Sequence, residues 1–180
     1  MIKILAIDLT NNYTNTKEWL SLAFKNIERV IRNYEISDYS ECVFKIQLSI
    51  EQLQKALIFL LGFQFHKIHD PSRILESIEN NVNIKIEKEI IDRIKKVASL
   101  AKDIEGEGTA TRYGIIEEGK LITPEDKYKK SEADKYSRDL KEILLNLKEI
   151  FQENPNLEEE NKSLSKFIEQ CEDLISNESS

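Results

Sequence analysis

The sequence predicts an all-α fold, an up-and-down bundle of four to five core helices with an extra C-terminal helix. Apolar residues recur at three- and four-residue steps through most of the chain, which is the period of an amphipathic helix. Only five Gly and three Pro interrupt the 180 residues, and each Pro stands where a helix could begin. Long amphipathic segments with mostly short connections pack antiparallel, which gives the bundle.

We expect six helices, at residues 17–34, 38–61, 71–80, 84–104, 124–153 and 156–176. Pro71 and Pro124 are placed at first helical positions, because the N–H that proline lacks has no intrahelical partner there. Asp70 and Thr123 precede them and supply capping oxygens. The stretch before residue 10 fits either a strand or a helical turn, and the sequence does not decide between them.

The second helix is apolar on two faces. Its main stripe consists of Tyr39, Val43, Ile46, Ile50, Leu53, Leu57 and Leu60. A second stripe, interrupted by two charged residues at positions 51 and 55, consists of Phe44, Leu48, Ile58 and Phe59. Such a helix lies between two layers or packs a partner chain with its second face. We therefore expect a two-fold homodimer with Phe44, Leu48, Phe59 or neighbouring loop residues at the contact.

Residues 106–122 differ from the rest of the chain. Four of the five Gly lie here, so a long helix is not expected. The stretch is also too apolar for a linker, since it contains Arg112, Tyr113, Ile115, Ile116 and Leu121. We interpret it as a loop that folds back over the bundle.

The last segment carries a short heptad pattern. Its positions are Leu157, Asn161, Leu164, Ile168, Cys171 and Ile175. Either this helix docks on its own bundle, or it forms a short coiled coil with another chain.

Composition excludes several classes of protein. With 33 acidic and 26 basic residues, the net charge of -7 disfavours bulk nucleic-acid binding but permits a local basic pocket. Cys42 and Cys171 are far apart, so neither a disulfide framework nor a thiolate metal site is indicated, and a reducing cytoplasm fits. The longest largely apolar run, residues 56–63, is far shorter than the roughly 20 residues of a membrane span.

A series of residues from position 46 onward falls at meaningful spacings. It comprises Ile46, Gln47, Ile50, Glu51, Lys55, Ala56, Leu57, Gly62, His69, Asp70 and Leu75, and further matches are Trp19, Arg112-Tyr113, Asp126, Tyr128 and Ala133. Their order and separation resemble the HEPN family of small helical bundles over residues 16–152. Two positions depart from the family pattern: Ile68 stands in place of a Thr, and Gly114 in place of a common Pro.

The resemblance implies a domain at residues 16–153, between an N-terminal extension, 1–15, and a C-terminal helical extension, 154–180. It also implies a homodimer that binds a nucleotide or a minimal nucleotidyltransferase, as in toxin–antitoxin-related systems. Ribonucleases of the family carry an Arg followed four to six residues later by a His, a spacing that this chain lacks. We therefore expect no enzyme and no cofactor. The alternatives are an unconventional, toxin-like ribonuclease and a purely structural oligomeric bundle.

The candidate ligand-binding residues are Glu51, Lys55, His69, Arg112 and Tyr113. Each also has a structural interpretation. Glu51 and Lys55 could form an ordinary i,i+4 ion pair, and His69 could pack near the helix cap at Asp70. Arg112 could grip a phosphate, or could instead pin the loop to helix carbonyls or to Glu51. His66 and His69 are the only histidines, and with no further obvious ligands we expect no metal site.

Overall fold

The chain folds into a helical bundle, which confirms the predicted all-α class. The computed structural model describes residues 9–63, 70–80, 86–152 and 154–176. The helices of this part are α1 (Leu9–Glu35), α2 (Tyr39–Leu60), α3 (Pro71–Glu76), α4 (Lys88–Gly106), α5 (Ala110–Tyr113), α6 (Pro124–Lys127), α7 (Lys130–Phe151) and α8 (Glu158–Ser176). Two short 3₁₀ turns, Ile78–Asn80 and Pro155–Leu157, and a hairpin of β1 (Ile115–Glu117) and β2 (Lys120–Ile122) complete it.

Helix α2 is the central element of the bundle. It packs against α1 along its length and also contacts α3, α4, α5 and α7. Six of the seven residues in its predicted main stripe are fully or almost fully buried, all except Tyr39. Of the second stripe, Ile58 is buried while Phe44, Leu48 and Phe59 are half-buried. Helix α2 therefore lies between two layers, one of the two arrangements that its sequence allows.

The predicted caps are present. The Asp70 carboxylate accepts a hydrogen bond from the Arg73 backbone N–H at 3.2 Å, and Pro71 opens α3. The Thr123 hydroxyl accepts one from the Asp126 backbone N–H, also at 3.2 Å, at the start of α6. Each hydrogen bond satisfies a backbone donor that has no intrahelical partner.

Four predicted helix boundaries differ from the structure. Helix α1 begins well before residue 17. Helix α3 ends at Glu76, and a 3₁₀ turn rather than an α-helix covers residues 78–80. Helix α4 begins at Lys88, and residue 84, where we expected it to begin, lies outside the described residues. The single helix expected at residues 124–153 is two helices, α6 and α7, because the backbone at Tyr128 and Lys129 is extended.

The segment after α5 forms a β-hairpin, so the expectation of a loop folded over the bundle is wrong for most of it. Glu118 and Gly119 both have positive φ, as a type I′ turn requires. Ile115 packs against the core. The apolar side chains of the stretch that remain exposed are Tyr113, Ile116 and Leu121, with exposed fractions of 69%, 69% and 58%.

Gly114 joins α5 to this hairpin with φ 71° and ψ -164°. That conformation belongs to a region of backbone space that is essentially restricted to glycine. A Cβ added at this position would also collide with the carbonyl oxygen of Ile122. The close approach of the two strands therefore depends on the missing side chain.

Helix α8 docks on its own chain. It packs against α7 and α1, and the Phe24 and Phe167 rings lie 5.3 Å apart. Leu157, Leu164 and Cys171 are fully buried and join the common hydrophobic core. Of the two interpretations of the heptad pattern, the structure has the intramolecular one. Among the described residues, no helix combines the length and the apolar content that crossing a membrane requires.

Candidate functional site

A cleft of about 260 Å³ lies between the middle of α2, the end of α4 and the start of α5. Its wall is partly apolar, from Phe44, Leu48 and Pro71. Its polar lining comes from Gln47, Glu51, Glu105, Thr109 and Arg112. Two of the five predicted ligand-binding residues, Glu51 and Arg112, therefore line one cavity although they are far apart in sequence.

Gln47 holds the cleft together. Its Nε2 donates to the carbonyl oxygens of Ile104 at 3.1 Å and Gly108 at 2.9 Å. Its Oε1 accepts from the Thr111 hydroxyl at 2.5 Å. The side chain thus ties α2 to the end of α4 and to α5, and satisfies carbonyls that a helix end leaves without partners. This is the pinning role that the sequence suggested for Arg112.

The Arg112 guanidinium lies over two aromatic rings. Its central carbon is 5.7 Å from the centre of the Phe44 ring and 5.5 Å from that of Tyr113. Within the described part of the chain, no carboxylate lies close enough to form an ion pair with it. Arg112 is exposed and is held by cation–π contacts, so the five N–H donors of its guanidinium are available to a ligand.

Glu51 and Lys55 form the predicted i,i+4 ion pair, with 2.5 Å between Lys55 Nζ and Glu51 Oε1. The Lys55 side chain is only 13% exposed and its ammonium lies 4.7 Å from the centre of the Trp19 ring. The Glu51 side chain is 39% exposed and lines the cleft. The pair therefore joins α1 to the cleft: Lys55 is largely buried against Trp19, and Glu51 lines the cavity.

Glu105 is a further acidic residue of the cleft, to which no pattern in the sequence points. Burial is the main cause that raises the pKa of its carboxyl, and the nearby polar groups of Ser72 and Gln54 offset only part of that rise. Ser72 in turn donates to the Ala98 carbonyl at 3.1 Å and accepts from Gln54 at 2.6 Å. Among the described residues, Glu105 Oε1 is buried without a hydrogen-bond partner.

A second polar cluster surrounds Glu107, directly after α4. Its carboxylate accepts hydrogen bonds from the hydroxyls of Tyr128 and Tyr136, each at 2.9 Å, and pairs with Lys127 at 2.8 Å. Burial alone would raise the pKa of Glu107, but the three partners outweigh it and lower that pKa. Burial and the bonds to Glu107 raise the pKa of both tyrosines.

The remaining predicted site residues lie elsewhere. Tyr113 is next to Arg112 but is largely exposed and does not line the cleft. His69 lies outside the described residues, as does His66. In the described part of the chain, no group of three or more potential ligands could hold a metal ion.

The comparisons with known proteins give one result. A family model described as HEPN domain matches residues 16–152, which is well over half of the chain. Searches of curated proteins and of solved structures each found no match. The matched region contains Glu51, Gln47 and Arg112, and thus all of the cleft described above.

Proposed function

The chain belongs to the HEPN domain family, and from this premise we propose that it is a non-catalytic member that binds a nucleotide at the cleft beside Arg112. The ligand's phosphate would contact the Arg112 guanidinium, and Phe44 or Tyr113 would offer a ring for stacking. A homodimer and a minimal nucleotidyltransferase are the partners that we propose with it.

One observation carries the proposal. In a chain of net charge -7, Arg112 is a cation that has no carboxylate partner among the described residues, and it lies at a preformed cavity. A guanidinium that served only to pin the loop would bond helix carbonyls or an acidic side chain, and Gln47 fills that role instead. An accessible guanidinium next to a partly apolar cleft suits an anionic ligand with a flat ring.

Replacing Arg112 with alanine should weaken nucleotide binding about tenfold or more, since a charge-assisted hydrogen bond contributes roughly 1.5–3 kcal/mol. The melting temperature should change little, because the guanidinium makes no ion pair and no hydrogen bond that holds the described part of the bundle. Calorimetric titration with ATP and with GTP measures the first effect, and thermal unfolding followed by circular dichroism measures the second.

Arg138→Ala is the matched control, since Arg138 is an exposed arginine on α7 that does not line the cleft. It should leave both affinity and stability unchanged. No detectable nucleotide binding by the unmutated protein at millimolar ligand would contradict the proposal. A loss of stability in Arg112→Ala that matches its loss of binding would assign Arg112 a structural role instead.

We propose no ribonuclease activity, because the chain lacks the Arg-to-His spacing of the family's nucleases and general acid–base work at a phosphodiester needs such groups. Structured and single-stranded RNA incubated with the protein, with and without divalent metal, should remain intact. Cleavage that disappears in a His69→Ala variant would instead favour the unconventional, toxin-like ribonuclease.

We also propose a two-fold dimer. Ile116 and Leu121 are exposed register partners in the hairpin, and the exposed Tyr113 directly precedes Gly114, which joins α5 to that hairpin. Exposed apolar groups that lie together favour contact with another protein surface. Light scattering at micromolar concentration should give a mass near twice 21.0 kDa.

A charge at the hairpin tests the proposed contact. Ile116→Lys should give a monomer, whereas Ile36→Lys, at an equally exposed position after α1, should leave the mass unchanged. If the unmutated chain stays monomeric at high concentration, the proposal of a dimer is refuted.

A further inference from the structure

The polar groups of the cleft differ in how many further hydrogen bonds they can form. Both polar atoms of the Gln47 amide are occupied by Ile104, Gly108 and Thr111. Glu51 and Glu105 line the same cavity, and a carboxylate can accept about four hydrogen bonds. Only one bond to Glu51, from Lys55 to Oε1, is present in the described part of the chain. The interior of the cleft is therefore rich in acceptors.

The charged residues that line the cavity differ in sign and in exposure. Arg112 is an exposed residue, whereas Glu51 and Glu105 are both partly buried. A phosphate is attracted to the guanidinium and repelled by the carboxylates, so the phosphate should lie on the Arg112 side. The part of the ligand that enters the cavity then meets Glu51 and Glu105, and that part must donate hydrogen bonds.

We propose that the cleft holds the base of a nucleotide with a hydrogen-bond-donating edge against Glu51, and that it therefore selects guanine over adenine. This inference rests on the proposed nucleotide-binding function. Guanine presents two adjacent donors, N1–H and the N2 amino group, which match the two oxygens of a carboxylate. Adenine presents one amino donor next to N1, an acceptor that a carboxylate repels.

The size of the cleft agrees with this arrangement. Its volume of about 260 Å³ is below the roughly 300–1,000 Å³ of sites that enclose a drug-sized ligand. A cleft of this size can hold a base without enclosing the sugar and the phosphate. Phe44 gives the base an aromatic neighbour, and the phosphate remains outside with Arg112.

Titration of the full chain with GMP, IMP and AMP tests the proposal, since the three share one sugar and one phosphate. GMP should bind about tenfold or more tightly than AMP, the discrimination that a good bidentate pair gives. IMP lacks the N2 amino group and should fall between them. Glu51→Gln should abolish the preference or reverse it, because an amide can pair with adenine in two places. Arg112→Ala should weaken all three nucleotides by a similar factor.

Glu41→Gln is the matched control, because Glu41 forms the same kind of i,i+4 pair with Lys45 on the same helix, at 2.8 Å, but does not line the cleft. It should keep the preference for GMP. Equal affinity for GMP and AMP in the unmutated protein overturns the guanine inference and leaves nucleotide binding standing. A preference that survives in a folded Glu51→Gln variant overturns it too. If the unmutated protein binds none of the three nucleotides, both this inference and the proposed function are overturned.

Discussion

Replacing Glu107 with alanine is expected to lower the free energy of unfolding by about 2–4 kcal/mol, because hydrogen bonds to a charged group contribute roughly 1.5–3 kcal/mol each and the site is only partly screened by water. The substitution removes the shared acceptor of Tyr128 and Tyr136 and the partner of Lys127. Two largely buried phenols would lose their hydrogen bonds together. Urea unfolding followed by circular dichroism measures the loss.

Helix α4, which ends directly before Glu107, offers a control. Glu89 pairs with Arg93 in an exposed i,i+4 arrangement, and its replacement by alanine should cost no more than about 0.5 kcal/mol. Tyr128→Phe and Tyr136→Phe each remove one hydrogen bond and leave Glu107 its other two partners. Each should therefore lower the free energy of unfolding by about 1–2 kcal/mol. A Glu107→Ala variant as stable as Glu89→Ala would show that the cluster does not hold the bundle.

The dependence of stability on pH gives an independent readout of the same cluster. The lowered pKa of Glu107 contributes stability above the usual glutamate pKa, and this is lost as the pH falls through the lowered value. The raised pKa values of Tyr128 and Tyr136 contribute stability that is complete below the usual tyrosine value near 10 and is lost as the pH rises above it. Above pH 10, the melting temperature should therefore fall less steeply with rising pH for Tyr128→Phe than for the unmutated protein.

Replacing Gln47 with alanine is expected to lower the free energy of unfolding by the second large amount. Three groups, the carbonyls of Ile104 and Gly108 and the hydroxyl of Thr111, would lose their partner together. Leaving buried polar groups unpaired costs roughly 1–3 kcal/mol each, and partial access to water at Gly108 moderates the sum to about 2–3 kcal/mol. Because α5 would also lose its tie to α2, nucleotide binding should fall together with stability.

Gln52→Ala is the matched control for this variant. Gln52 lies on the same helix and accepts one hydrogen bond, from Asn26 at 2.9 Å, away from the cleft. Its replacement should cost about 1 kcal/mol and leave binding intact. If Gln47→Ala binds nucleotide as tightly as Gln52→Ala does, α5 is held in place by something other than Gln47.

The long helices could be predicted because their signals are local. The stripe of α2 repeats within the helix itself, and the caps at Asp70 and Thr123 act within three residues. The break before α7 could not be predicted, since Tyr128 leaves the helical conformation where its hydroxyl reaches Glu107, 21 positions earlier in the chain. Tertiary contacts of this kind override local helix propensity.

The hairpin and the cleft were also hard to predict, because local sequence patterns carry little information about them. A Glu118-Gly119 turn between strands of three residues is a weaker signal than Asn-Gly between longer ones. The family likeness brought Glu51 and Arg112 into one site hypothesis, and the structure places both at one cleft. The role of Gln47 was missed because its partners lie 57 to 64 positions away and no local pattern reports them. Glu105 was missed because its position on α4 resembles any acidic surface position.

Gly114 has a consequence for engineering this chain by consensus. A proline is common at the corresponding position of the family, so a design that restores the family average would introduce it here. Proline requires φ near -65°, whereas Gly114 has φ 71° and lies against the Ile122 carbonyl. The family-average residue is thus incompatible with this backbone. In a variant library built from family frequencies, Gly114→Pro would rank as a safe substitution, yet it would disrupt the hairpin.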